Sequence, residues 1–177
     1  NFILSKINNI FLYNKFFLIS FNYKRQGCMI QVFITGGTFD KTYNYLDGEL
    51  FFGKTHLPEM LETSRCKLDV EVETLMMIDS LDMKSSDVKK IVAKCKKSKH
   101  KRIVITHGTD TMTNTAEAIA KEKLDKTIIL TGALIPYEFG SSSDGFFNLG
   151  CALSFVQTFE KGVYITMHGK YFNWNEV

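Results

Sequence analysis

The sequence predicts an α/β fold of three layers, with helices on both faces of a mostly parallel sheet. Two observations carry that expectation. From Met29 onward, short β-branched or apolar runs end in Gly/Thr/Asp turns, and segments with helical spacing of apolar residues alternate with them. The chain's 177 residues, 45% of them hydrophobic and 23% charged, suffice for one domain with a full core and fall short of two ordinary ones.

Taken in order, the first strand is expected over Ile30–Thr35, where apolar and β-branched residues run into Gly36-Gly37, and the second over Leu68–Leu75. Val88, Ile91, Val92 and Cys95 then share one helical face, and a third strand follows at Arg102–Thr106. Met112, Ala116, Ile119, Ala120 and Leu124 mark a second helix, ahead of a strand at Thr127–Thr131. A helix from Asp144 to about Gln157 leads to the last strand, Gly162–Met167. Right-handed crossovers between such units make the sheet parallel, of the Rossmann-like or flavodoxin-like kind. Any ligand site then belongs at the carboxyl ends of the strands.

Residues 1–28, crowded with Asn, Phe, Ile and Lys, differ from the rest and are expected to be an extraneous or unstructured segment, with Met29 as the true start. Their uncharged runs reach eight residues, against the roughly 20 that span a bilayer. Lys15 interrupts the apolar region that a signal peptide would need. No membrane association is expected. A net charge of +3 gives no reason to expect nucleic acid, and the basic stretch Lys89–Arg102 reads as a solvated helix whose cations complement the dipole at its C-terminus. Cys28, Cys66, Cys95 and Cys151 lie far apart with no CxxC pair, so neither zinc nor a disulfide framework is suggested. A reducing, cytoplasmic setting without metal or cofactor fits that pattern.

Two of the strand-end turns set hydroxyl side chains beside glycine: Thr35-Gly36-Gly37-Thr38 and Thr106-His107-Gly108-Thr109-Asp110-Thr111. Glycine lets backbone approach a ligand closely, and turn N–H groups can bind a carboxylate or an oxyanion. The first turn lacks GxGxxG spacing and neither ends in Gly-Lys-Ser/Thr, which argues against a nucleotide and for a small polar molecule. Read alone, Asp110 is a helix N-cap that can double as a ligand, Asp144 a cap or subunit-contact residue, and His107 a structural turn histidine.

The TGGT turn, Ile78-Asp79-Ser80-Leu81-Asp82-Met83, Thr106-His107-Gly108-Thr109-Asp110-Thr111-Met112, Thr131-Gly132-Ala133, Ser143-Asp144-Gly145 and Asn148-Leu149, in that order, resemble the N-terminal domain of L-asparaginases. These motifs spread over residues 30–168, nearly the whole of a domain expected at 29–177, and the chain resembles the short, single-domain type. It implies hydrolysis of the side-chain amide of a small amino acid, with Thr38 as nucleophile and Thr109 in the proton relay that activates it. It also implies that Asp110 holds the substrate's α-ammonium and acts in the relay, while Ser80 and backbone at Gly37 and Gly108 receive its α-carboxylate. A loop tyrosine that assists the nucleophile corresponds to Tyr43 or Tyr45.

The family's relay lysine falls shortly after the fifth strand and has no counterpart up to Val177, Lys170 being too early, so the chain is expected to be truncated at its C-terminal end. The expected partners are a small amino-acid substrate and further copies of the chain in a homo-oligomer. Two other readings stand beside hydrolysis: a non-catalytic aspartate- or asparagine-binding domain, and an ammonia-supplying component of an amidotransferase.

Overall fold

The computed structural model describes residues 29–177; the expectations for residues 1–28 lie outside the described residues. Strand β1 (Ile30–Gly36) is buried at every position. The chain then turns through a short 3-10 segment, Thr38–Asp40, into a hairpin of β2 (Lys41–Asn44) and β3 (Glu49–Phe52). Helix α1 (Leu57–Thr63) carries Pro58 in its first turn, where the missing N–H costs nothing. After it come β4 (Val70–Ile78), α2 (Ser85–Lys97) and β5 (Arg102–Thr106). Helix α3 (Met112–Ala120), β6 (Thr127–Thr131), α4 (Gly145–Thr158), β7 (Gly162–Met167) and β8 (Lys170–Asn173) complete the chain.

The main sheet has the strand order β4-β1-β5-β6-β7-β8. The first five strands run parallel and β8 returns antiparallel on β7. Among the parallel strands the order is second, first, third, fourth, fifth, the flavodoxin-like arrangement, and the winding direction reverses between β1 and β5. Side chains alternate between two cores. Ile30, Val32, Ile34, Val104 and Ile129 pack with Leu57, Met60, Leu149, Ala152 and Val156 on the face covered by α1 and α4. Phe33, Ile103, Ile105, Ile128 and Leu130 pack with Ile91, Cys95, Ala116 and Ile119 on the face covered by α2 and α3. Helices thus cover both faces, as the sequence predicts.

Several boundaries differ from expectation. The second main-sheet strand runs over Val70–Ile78 rather than Leu68–Leu75, because β1 shifts register between Ile34 and Gly36 and pairs Gly36 with Ile78. The β2–β3 hairpin, α1 and β8 add to the expected elements; the hairpin is a two-stranded sheet of its own, so no long apolar run announces it. The α3 pattern stops at Ala120 instead of reaching Leu124, and Lys123 adopts a positive φ of 48° just beyond. As expected, the lysines of α2 gather in its last turn, and Lys126 Nζ donates to the carbonyls of Cys95 at 2.6 Å and Ser98 at 2.5 Å there.

Among the described residues, strand β4 is one edge of the sheet. Its Glu71 accepts from His100 Nε2 at 3.0 Å, and its Glu73 pairs with Lys94. Among the described residues no helix is long and apolar enough to cross a membrane.

Candidate active site

The winding reversal brings the ends of β1 and β5 side by side, and β4 flanks β1. Gly36 and Gly37 leave β1 with φ of 94° and 78°, in the left-handed region that favours glycine. A Cβ on Gly37 would lie 2.4 Å from the Gly108 nitrogen, and a Cβ on Gly108 would lie 2.4 Å from Ser80 Oγ. The turns after β1 and β5 therefore meet backbone against backbone, the Ser80 side chain of the β4 turn packs on Gly108, and a methyl group at either glycine would force them apart. The Gly37 N–H donates to the Ile78 carbonyl at 3.0 Å, so it is committed to β4 rather than free for a ligand carboxylate, and its missing side chain makes way for the Gly108 backbone.

Thr38 opens the Thr38–Asp40 turn and is half-buried; Thr109 opens the equivalent Thr109–Thr111 turn and is half-buried too. Ser80 is buried, and its hydroxyl donates to Asp110 Oδ2 at 3.2 Å. Thr111 Oγ1 donates to the Ser80 carbonyl at 3.0 Å, which locks the two turns together. Asp110 is exposed, free to meet a cation arriving from solvent. Gly37, Thr38, Ser80, Gly108, Thr109 and Asp110 thus come from three separate stretches of sequence to one end of the sheet.

The N-cap position of α3 falls on Thr111 and no side chain caps the helix, so Asp110 does not cap it. Asp144 stands at the N-cap position of α4 without capping it. Its carboxylate instead accepts from the N–H groups of Leu134 and Ile135, both at 3.0 Å, from Asn148 Nδ2 at 2.9 Å and from His168 Nε2 at 2.8 Å. It ties the β6–α4 loop to the β7–β8 turn. His107 is buried with both ring nitrogens engaged inside the fold. Burial pushes its pKa down, its Nδ1 donates to the Gly108 carbonyl at 2.8 Å, and its Nε2, 2.9 Å from Thr115 Oγ1, is left to accept.

The hairpin carries both candidate tyrosines. Tyr43 is 41% exposed on β2; its N–H donates to Glu138 Oε2 at 2.5 Å and its ring centroid lies 6.3 Å from that of Phe139. Tyr45, 84% exposed, sits in the turn between β2 and β3 and is not drawn in among the threonines.

Two acidic positions around the threonines were given no role from the sequence, although Asp79 lies within the Ile78–Met83 motif. Asp40, buried two residues after Thr38, accepts at Oδ1 from Thr55 Oγ1 at 2.8 Å and the His56 N–H at 3.1 Å, fastening the Thr38 turn to the start of α1. Burial raises its pKa against those bonds, and its Oδ2 has no partner among the described residues. Asp79, next to Ser80, accepts the Leu81 N–H at 3.0 Å and pairs with Lys41 Nζ at 2.5 Å. The lysine holds the Asp79 carboxyl below the usual aspartate range. A single Asp carries no record of its partner; the one available signal was adjacency to the threonine and serine motifs.

With three turns converging at the switch point of such a sheet, the family profile described as "Asparaginase, N-terminal" decides the matter, for it matches residues 29–177. The chain belongs to the asparaginase family. Among solved structures, L-asparaginase I from Vibrio cholerae superposes with a TM-score of 0.70 at 26% identity, over 83% of this chain and 46% of that one. A probable cytoplasmic L-asparaginase from Campylobacter jejuni gives 0.70 at 28% identity, over 83% and 48%. Among curated proteins, a glutamyl-tRNA(Gln) amidotransferase subunit from Pyrococcus abyssi is 33% identical over 147 residues, 77% of this chain and 32% of the relative. The chain spans about a third of such curated relatives and under half of the solved asparaginases.

Proposed function

We propose that this asparaginase-family domain hydrolyses the side-chain amide of L-asparagine to L-aspartate and ammonia, with Thr38 as nucleophile. The observation that carries the reading is the meeting of the Thr38, Ser80 and Thr109–Asp110 turns at the switch point of the sheet, with Gly37 packed on Gly108 and Gly108 on Ser80.

In this reading the Thr38 oxygen attacks the amide carbon while its proton leaves through a relay that includes Thr109 and Asp110, assisted by Tyr43 or Tyr45. N–H groups of the turns stabilise the charge that develops on the amide oxygen. The carbon–nitrogen bond breaks, ammonia departs with the transferred proton, and an ester to Thr38 remains. Water then cleaves the ester, giving aspartate and restoring the hydroxyl. The Ser80–Asp110 hydrogen bond is a placeholder: an α-amino acid brings a carboxylate for Ser80 and an ammonium for Asp110. Lys170, exposed at the start of β8, is not assigned to the relay.

The relatives named as components of a glutamyl-tRNA(Gln) amidotransferase favour a second reading, in which the same hydrolysis supplies ammonia to a partner enzyme. A homo-oligomer in a reducing, cytoplasmic setting belongs to the first reading, and the free thiols of Cys66, Cys95 and Cys151 suit such a setting. Ammonia release from L-asparagine and L-glutamine, with Thr38→Ala as control, tests the proposal. Release by the isolated chain that Thr38→Ala abolishes supports it and disfavours the amidotransferase reading. Tight aspartate binding without any release would leave only the binding domain.

A further inference from the structure

Lys41 and Asp79 stand at a junction. Lys41 is the first residue of β2, directly after the Thr38–Asp40 turn, and Asp79 lies between β4 and Ser80. Nζ and Oδ2 are 2.5 Å apart, with the two side chains 20% and 25% exposed, so water screens the pair less than an ordinary surface ion pair. The other oxygen of Asp79 accepts the Leu81 N–H, so one carboxylate fixes both the backbone around Ser80 and the lysine of the hairpin. On its far side the Lys41 ammonium lies 5.8 Å from the centroid of the Phe52 ring, and Phe52 is the β3 residue paired with Lys41.

Among the described residues the hairpin forms no ladder with the main sheet. Its other ties are Tyr43 N–H to Glu138, the Tyr43–Phe139 ring contact and Thr42 Oγ1 at 3.4 Å from His56 Nε2, all to the β6–α4 loop or the approach to α1. The Lys41–Asp79 pair is the tie that reaches the turn bearing Ser80.

We propose that Lys41 and Asp79 are a positioning pair that braces the hairpin of Tyr43 and Tyr45 against the Ser80 turn, setting the width of the substrate site. The effect on turnover rests on the amidohydrolase reading; the brace itself does not. Two readouts separate them. In Lys41→Met and Asp79→Asn, amide hydrogen exchange across residues 41–52 is expected to quicken by roughly tenfold while β5 and β6 keep wild-type protection. Lys41→Arg, which keeps the charge, is expected to restore protection. With asparagine, KM rises by roughly tenfold in the two broken pairs and kcat changes less. Hairpin exchange at the wild-type rate in both variants overturns the brace, whatever the activity. Faster exchange with unchanged KM overturns the positioning role. Wild-type protein that releases no ammonia sinks the amidohydrolase reading, and hairpin exchange then decides the brace by itself.

Discussion

Ser80 and Asp110 touch each other where the two charged ends of a substrate are proposed to sit. Because Asp110 is exposed, its attraction for an ammonium is screened until the ligand covers it. Asp110→Asn is therefore expected to weaken aspartate binding by roughly tenfold, as read by calorimetry, rather than by the larger factor of a fully buried pair. Unchanged affinity would remove Asp110 as the ammonium ligand. The cysteines give a second test at this scale. Burial pushes the Cys95 thiol up to about 12, so it holds almost no thiolate at neutral pH, whereas Cys66 and Cys151 are partly exposed. A thiol reagent is expected to label the latter two in the folded protein and Cys95 only after unfolding, with peptide mapping as the readout. Thr38, Ser80 and Asp110 could be singled out in the sequence because each lies in a motif of several residues. Asp40 and Lys41 could not, because their meaning lies in partners 15 and 38 positions away.

At the scale of elements, glycine placement separates what was legible from what was not. Gly37 and Gly108 were read as room for a ligand, yet each is also where one turn passes another, a contact between segments distant in sequence. Gly37→Ala has neither the φ nor the space it needs and is expected to destabilise by about 1–3 kcal/mol and to lower turnover with it. Urea unfolding and ammonia release measure the two. The brace carries a pH signature. Lys41 depresses the folded-state pKa of Asp79, so the stability it adds is complete above the ordinary aspartate value of 3.8 and fades as pH falls through the depressed one. Asp79→Asn is expected to lower Tm by about 2 °C near neutral pH, a difference that closes in acid. A gap that stays constant with pH would show that the charge is not what matters.

For the whole molecule, the sheet and its two helical layers were legible because fully buried parallel strands read as continuous β-branched runs. The order of the strands was not, since periodicity carries no information about which strand lies beside which. That order creates the switch point, so the end of the sheet was legible but which turns lie side by side there became visible only with the fold. The two cores make a concrete expectation: Ile129→Ala, buried on the α1/α4 face, should cost about 2–5 kcal/mol in urea unfolding. A cost under about 1 kcal/mol would mean that face is loosely packed. Finally, the edge position of β4 bears on solubility. Among the described residues its nine residues, Val-Glu-Val-Glu-Thr-Leu-Met-Met-Ile, have no strand on their outer side, and Glu71 and Glu73 place charge on that edge. Charge on an edge strand disfavours edge-to-edge pairing, so replacing both carboxylates with valine is expected to make this rim of the sheet prone to self-association, read as light scattering on warming.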